Sequence, residues 1–179
     1  AMCFSTTKGI ASAALHLQAD AGLVDYDAPV ATYWPEFAQN GKENLTVRHV
    51  LSHSAGLHRL RSVIESAHQI LDWDYMVGAL ARERPAYEPG TKTGYHAITY
   101  GWLVGEIVRR VTGRPLADVV ADDLAKPLGL DGRQRDPGRC ADDHFGECGQ
   151  VRLLGVHFYQ RRATAPGQQW ELGRRVYHR

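Results

Sequence analysis

Ser5 and Lys8 have the residue types and the spacing of a nucleophile and its base. Residues three apart lie on one face of an α-helix, so a helix beginning near Ser5 would hold the lysine amine beside the serine hydroxyl. A lysine whose pKa is lowered can remove the proton that makes serine a poor nucleophile. The free N–H groups at a helix start also favour a developing oxyanion. The alternative is an accidental match between two common residues.

Tyr95, in the segment TGYHAITYG, is the next candidate for acid–base chemistry. A tyrosine on a loop before a helix can direct its phenol into a cleft, and a nearby lysine would lower its pKa enough for it to shuttle a proton. The alternative is an amphipathic tyrosine packed at the surface. The predicted catalytic set is Ser5, Lys8 and Tyr95, and it requires the two hydroxyl groups to lie within about 10 Å of each other.

Other reactive side chains are weaker candidates. Cys140, His144 and Cys148 are spaced by four and could form a metal site on a helix, but the glycines and proline around them argue against a helix. His53 lies between two serines, yet adjacent residues on a helix do not face each other. No Gly-x-Ser-x-Gly segment is present, which argues against an α/β-hydrolase. We expect neither a metal nor a cofactor.

Hydrophobic periodicity predicts the helices that must position these residues. The first should span residues 5 to 21 and stop at Gly22. Thr46 is placed to cap a short helix over 47–52, with Gly56 in a left-handed turn after it, and Asp72 to open a helix that ends near Arg84. The apolar stripe of the first helix consists of Ile10, Ala13, Ala14 and Leu17.

The clearest helix follows the Tyr95 loop and ends at Gly113. A last helix is predicted over 115–125, with Pro115 at its first position. The apolar face of the clearest helix consists of Leu103, Val104, Ile107, Val108 and Val111.

Length and composition limit the class of protein. A chain of 179 residues that is 44% hydrophobic and 23% charged can bury one ordinary core. Its formal net charge of +1 provides no basic field for nucleic acid, and it has no apolar run long enough for a transmembrane helix. Three cysteines favour a reducing compartment. We therefore expect a cytoplasmic location and no nucleic-acid partner, and the oligomeric state stays open.

The composition changes after Gly132. Residues 133–179 contain nine arginines and no lysine, and hydrophobic periodicity fades except in VRLLGVHFY. We therefore predict a globular region at 1–132 and an atypical, arginine-rich tail at 133–179.

The segments FSTTKGIASAALHLQADAGLVDYDAPVATYWPEF, LTVRHVLSHSAGL and YEPGTKTGYHAITYGWLVGEIVRRVTGRPL occur in this order. Together they resemble the β-lactamase-related serine hydrolase family from Cys3 to about Gly132. Within that family they look most like family VIII carboxylesterases and related lipase/esterase proteins, and class C β-lactamases are more distant.

The resemblance implies a role for each candidate residue. Ser5 corresponds to the acylated nucleophile, Lys8 to the lysine base and Tyr95 to the tyrosine of the second motif. The lactamases usually have Tyr-x-Asn there, whereas this chain has Ala97 at the Asn position, a form common among the esterases. The resemblance therefore implies ester cleavage more than lactam recognition, and it assigns His53 to shaping a loop.

Two segments match the family's third motif in the wrong place. Lys92-Thr93-Gly94 reads as Lys-Thr-Gly but lies directly before Tyr95, whereas the family motif is on a late strand beside the nucleophile. His144-Phe145-Gly146 matches the esterase variant His-x-Gly but follows Tyr95 too closely. We interpret both as coincidences.

The resemblance implies the β-lactamase/transpeptidase-like α+β fold, of which this chain would be mostly α. It would hold the helical region and the nucleophile helix, as a truncated member without most of the antiparallel sheet. The implied function is a serine esterase or lipase that cleaves small-molecule carboxylic esters through an acyl-enzyme at Ser5. Weak or absent turnover is expected of this chain alone, because one oxyanion donor of the family comes from a late strand. The alternative is a non-catalytic remnant or interaction module.

Overall fold

The computed structural model describes residues 4–130, which form helices and loops. Within that range there is no β-strand, and extended pairing is limited to an isolated antiparallel bridge between Pro29 and Thr46. The predicted mostly α character is confirmed, whereas the predicted boundary after residue 132 and the tail lie outside the described residues. The α-helices are α1 (Thr7–Asp20), α2 (Val47–Leu51), α3 (Trp73–Arg82), α4 (Tyr100–Thr112) and α5 (Leu116–Val119).

Short helical turns fill much of the remaining chain. In the part that the structure describes, no helix is both long and apolar enough to cross a membrane. A π-helical segment, Val120–Ala125, continues α5. The 3₁₀ turns are Phe4–Thr6, Val30–Thr32, Pro35–Phe37, Leu60–Ser62 and Ala67–Leu71.

Helix α1 buries a different face from the one predicted. Ile10 and Leu17 are 40% and 36% exposed, so the predicted stripe is wrong at these two positions. The buried face is centred one residue further along, because its small side chains allow close packing against α4. That face consists of Ala11, Ala14, Leu15 and Gln18.

Capping side chains fix two helix starts where the sequence predicts them. The Thr46 hydroxyl accepts a hydrogen bond from the His49 N–H, and His49 Nδ1 accepts one from the Thr46 N–H, which forms a capping box at α2. The Asp72 carboxylate accepts from the Tyr75 N–H and begins α3. These reciprocal bonds explain why a five-residue helix such as α2 begins where it does.

Helix ends agree with the sequence to within two residues. Gly113 has a φ of 68° and closes α4, and Gly56 has a φ of 76° in the turn after α2. Helix α3 ends at Arg82, two residues earlier than predicted. Pro115 is the N-cap of α5 and not its first helical residue, because its ψ of 144° is extended.

Helix α4 is the centre of the core. Every residue from Tyr100 to Val108 is buried, and α4 packs against α1, α2, α3 and α5. Gly105 permits the crossing with α3, because a Cβ there would lie 2.7 Å from the Trp73 ring. Within the stretch from Tyr100 to Val108, where the helix is covered on nearly all sides, a charged residue is buried with the apolar ones.

Glu106 is that buried polar residue. Its carboxylate is 0% exposed and accepts hydrogen bonds from the guanidinium groups of Arg109 and Arg110, each at 2.7 Å, and from Trp73 Nε1 at 3.0 Å. Burial alone would raise the pKa of Glu106, but these three donors outweigh burial and leave the pKa below its ordinary value of 4.5. The carboxylate is therefore charged in the core.

Lys42 is buried without a carboxylate against it. Its ammonium donates to the carbonyl oxygens of Gln39 at 2.9 Å and Glu83 at 2.5 Å, and lies 5.0 Å from the Phe37 ring centroid. Burial lowers the pKa of Lys42 to about 8. The contact ties the loop before α2 to the C-terminal end of α3, where backbone carbonyls favour a cation.

Replacing Glu106 by Gln should lower the free energy of unfolding by about 2 kcal/mol at pH 7, because two guanidinium groups and an indole N–H lose a charged acceptor. Urea denaturation followed by circular dichroism measures the change. The matched control Glu36→Gln removes an exposed partner of Arg110 and should cost less than about 1 kcal/mol. Equal losses in the two variants would contradict a buried anchoring role for Glu106.

The difference in stability between the wild type and Glu106→Gln should depend on pH. The pKa of Glu106 is lower in the folded protein than its ordinary value of 4.5, so its contribution is present above pH 4.5 and is lost as the pH falls below it. The difference in stability between the wild type and Glu106→Gln should therefore narrow below pH 4.5. A difference that stays constant down to pH 3 would show that the carboxylate does not carry it.

Candidate active site

Ser5 lies directly before the nucleophile helix. It belongs to the 3₁₀ turn Phe4–Thr6, and its side chain is exposed. Thr6 already has helical backbone angles, so the turn runs into α1 without a break. The Ser5 hydroxyl is therefore held at the positive end of a 14-residue helix, which favours negative charge on an oxygen there.

Lys8 lies in the first turn of α1 and is 8% exposed. Its ammonium donates to Ser5 Oγ at 3.2 Å and to the Ala97 carbonyl oxygen at 2.7 Å, and it lies 5.1 Å from the centroid of the Tyr95 ring. All three partners are uncharged. The amine is thus aimed at the serine by an aromatic face and a backbone carbonyl, without a carboxylate that would hold it as an ion pair.

The Tyr95 side chain reaches the same serine from the loop before α4. Its hydroxyl donates to Ser5 Oγ at 2.6 Å, and its side chain is 53% exposed. The hydrogen bond with Ser5, followed by the nearby Lys8 ammonium, lowers the pKa of Tyr95 from its ordinary value of 10. The structure therefore brings all three residues of the predicted catalytic set together around one oxygen atom.

Ser12 and Tyr100 support this arrangement and were not predicted. Ser12 Oγ donates to the Lys8 carbonyl at 2.8 Å and shares a 2.7 Å hydrogen bond with the Tyr100 hydroxyl. Burial raises the pKa of Tyr100, so this phenol stays protonated. The pair joins α1 to α4 one turn beyond Lys8. The available signal was a serine four residues after the lysine, on the same helix face.

His96 is a buried scaffold residue next to Tyr95. Its ring is 0% exposed, and Nε2 accepts a hydrogen bond from the Leu57 N–H at 3.1 Å. Thr99 donates to the Leu57 carbonyl at 2.8 Å, so both backbone groups of that residue are bonded to the segment after Tyr95. Burial, and then the nearby His53, lowers the pKa of His96 to about 4. It is therefore neutral near pH 7 and holds the loop in place.

Lys92 and Thr93 do not join this cluster. In Lys92-Thr93-Gly94 the first two side chains are exposed in the loop, as the interpretation as turn residues predicts. The His144-Phe145-Gly146 match, and Cys140, His144 and Cys148, lie outside the described residues. Between residues 4 and 130, no group of three or more His, Cys, Asp or Glu side chains could hold a metal ion.

The cluster can activate and protonate a single hydroxyl. The Lys8 amine and the Tyr95 phenol both contact Ser5 Oγ. A proton that leaves this oxygen therefore has one nitrogen and one oxygen atom within hydrogen-bond reach. The start of α1 lies beside the same oxygen and favours an anion there. Hydrogen bonds of this kind allow a proton to pass between the Ser5 hydroxyl and either neighbouring group.

Comparison with known proteins finds a β-lactamase family model and relatives that are named as esterases. The family model described as Beta-lactamase matches residues 2–134. The chain is 46% identical over 131 residues to the esterase/β-lactamase LipL of Mycobacterium tuberculosis (strain ATCC 25618 / H37Rv), an alignment of 73% of this chain and 30% of that protein. It is 29% identical over 144 residues to esterase EstB of Burkholderia gladioli, covering 70% of this chain and 36% of the relative.

Solved structures share the fold of the described region. A family VIII carboxylesterase is 45% identical, with a TM-score of 0.68 over 70% of this chain and 34% of that one. A penicillin-binding protein homologue from Caulobacter crescentus is 44% identical, with a TM-score of 0.67 over 72% and 34%. The chain spans about a third of the length of these relatives. With the family match over three quarters of its residues and the shared β-lactamase/transpeptidase-like fold, the chain belongs to the β-lactamase family.

Proposed function

We propose that this chain carries the nucleophile of a serine carboxylic-ester hydrolase, in which Ser5 forms an acyl-enzyme. The observation that carries the proposal is the position of Ser5 Oγ between Lys8 Nζ at 3.2 Å and the Tyr95 hydroxyl at 2.6 Å. Relatives named as esterases, at up to 46% identity, support an ester as the substrate. The alanine at position 97 supports the same choice, since lactamases usually have Asn there.

Acylation would use Lys8 in its neutral form as the base. The amine accepts the Ser5 proton while Ser5 Oγ bonds to the ester carbonyl carbon, and the oxyanion forms near the start of α1. When the tetrahedral intermediate collapses, the carbon–oxygen bond to the alcohol breaks. The alkoxide takes its proton from Tyr95, which regains one from the Lys8 ammonium, so no net charge is left behind.

Deacylation would reverse the roles with water as the nucleophile. The neutral Lys8 amine accepts a proton from water while the water oxygen bonds to the acyl carbon, which leaves Lys8 as the ammonium and Tyr95 protonated. The bond to Ser5 Oγ then breaks, and the serine takes back the proton as the carboxylic acid leaves. The protein groups that move protons in these steps, Lys8 Nζ and the Tyr95 hydroxyl, are both within hydrogen-bond reach of Ser5 Oγ.

A nitrophenyl alkylphosphonate should modify Ser5 in a single turnover, because its phosphorus mimics an ester carbonyl under attack. We expect one phosphonyl group per chain, with release of nitrophenol, detected by intact mass and peptide mapping. Ser5→Ala should abolish the labelling. The matched control Ser62→Ala removes an exposed hydroxyl bonded to the Arg59 carbonyl and should label like the wild type. A folded wild-type chain that never labels would refute the proposal and favour the interaction module.

Lys8→Arg should slow phosphonylation of Ser5 by about 10²–10⁴-fold, since a guanidinium keeps its charge and cannot accept a proton near neutral pH. The rate of nitrophenol release gives the measurement. Lys126→Arg, an exposed lysine paired with Asp122, is the matched control and should leave the rate unchanged. Near-wild-type labelling of Lys8→Arg, with circular dichroism unchanged, would show that another group is the base.

A further inference from the structure

His53 has an unusual backbone for a residue with a side chain. Its φ of 59° lies in the left-handed region, where residues other than glycine are uncommon, although asparagine, aspartate and histidine occur there more often than the rest. Such a conformation persists when the surrounding contacts require it, and it occurs often beside functional sites. The contacts of His53 therefore indicate what its conformation achieves.

Two acceptors of His53, its carbonyl oxygen and Nδ1, bond to the residues on either side of Tyr95. The His53 carbonyl accepts a hydrogen bond from the Gly94 N–H at 3.0 Å, and His53 Nδ1 accepts one from the His96 N–H at 3.2 Å. His53 thus holds the backbone immediately before and immediately after Tyr95. We call these two hydrogen bonds the bracket. Tyr95 itself is half exposed, so this bracket contributes much of what fixes its backbone.

The His53 ring also packs against the Tyr95 ring. Its centroid lies 4.9 Å from the Tyr95 ring, 4.9 Å from the Tyr100 ring and 5.5 Å from the His96 ring. The titratable groups that face it are therefore Tyr95 and His96 from the loop, Tyr100 from α4 and Lys8 from α1. A second positive charge would lie next to Lys8 if the imidazole became protonated.

The hydrogen bond from His96 fixes the form of the ring. Because Nδ1 accepts a bond, the single proton of a neutral His53 ring must be on Nε2. Protonation of Nδ1 would place an N–H against the His96 N–H and break the bracket. Burial, together with the charge of Lys8, lowers the pKa of His53 from 6.5, which keeps the ring neutral at pH 7.

We propose that His53 is the positioning residue for Tyr95: its left-handed backbone and its neutral, Nε2-protonated ring hold the tyrosine hydroxyl on Ser5, and protonation of the ring releases it. This inference rests on the proposed hydrolase function of the same site. It assigns to His53 an effect on the rate at acid pH that a residue with a purely structural role would not have.

Two substitutions separate the side-chain acceptor from the backbone conformation. Asparagine tolerates a left-handed backbone, offers an oxygen close to the position of Nδ1 and does not titrate. Glycine tolerates the backbone and offers no acceptor. His53→Asn and His53→Gly are therefore the test pair, and His68→Asn, an exposed histidine in the turn Ala67–Leu71, is the control.

The first measurement is the rate of Ser5 phosphonylation by the nitrophenyl alkylphosphonate between pH 5 and pH 8. His53→Gly should be slower than the wild type by about 10–100-fold at pH 8, since a displaced Tyr95 costs this much. His53→Asn should lose less than about tenfold. The informative quantity is the ratio of the wild-type rate to that of His53→Asn, because other effects of pH on the reaction are common to the two proteins. This ratio should fall as the pH drops below 6.5, whereas the ratio to His68→Asn should stay constant.

The second measurement does not depend on acylation. Nitrogen-15 NMR should show His53 Nδ1 unprotonated at pH 7, and the His96 amide should exchange with solvent at least about tenfold faster in His53→Gly than in the wild type or His53→Asn. If the wild type fails to label, the proposed function fails, and this NMR comparison alone decides whether the bracket exists.

Three outcomes would overturn the inference. They are labelling of His53→Gly at the wild-type rate, a rate ratio to His53→Asn that does not change with pH, and equal protection of the His96 amide in all three proteins. If His53→Gly does not fold, the pH dependence of the His53→Asn ratio still gives a decision.

Discussion

The packing of α1 against α4 is the contact on which the candidate site depends. Ser5 and Lys8 lie at the start of α1, and Tyr95 lies in the loop that leads into α4, so the three meet only if the two helices keep their register. Small buried side chains on α1 allow the two helices to approach closely. The hydrogen bond between Ser12 and Tyr100 fixes the position of one helix along the other. The core packing thereby determines the relative positions of Ser5 and Tyr95, which are 90 residues apart in the sequence.

The core contains buried charge in two forms. Glu106 is surrounded by donors, and its pKa falls below the ordinary value, so its charge is fully compensated by two arginines and an indole. The Lys42 ammonium contacts carbonyl oxygens and an aromatic ring, and burial, opposed in part by the charges of Glu43 and Glu83, lowers its pKa to about 8. The difference follows from what each must join. Glu106 bonds to two arginines of its own helix and to Trp73 of α3, whereas Lys42 crosslinks two backbone segments through their carbonyl oxygens.

The sequence was sufficient for the features that depend on local chemistry. Caps such as Thr46 and glycine stops such as Gly113 act within a few residues, so their positions could be predicted, and Ser5, Lys8 and Tyr95 stand at recognisable spacings. Features that depend on tertiary contacts could not be predicted. Helical periodicity alone cannot say which side of α1 meets α4, and nothing local to Lys42 or His53 specifies burial or a positive φ. These depend on partners 40 or more residues away.

Ala97 bonds to the Lys8 amine through its main-chain carbonyl oxygen. The Lys8 amine bonds to the Ala97 carbonyl oxygen, while the methyl side chain is exposed. Every amino acid provides that oxygen, so a change of side chain at this position leaves the anchoring of the amine intact. At this position the main chain holds the Lys8 amine, and the side chain is free to vary independently of that contact. An exchange between an amide and a methyl group at position 97 therefore changes the exposed surface beside Ser5 and Lys8 without moving the Lys8 amine.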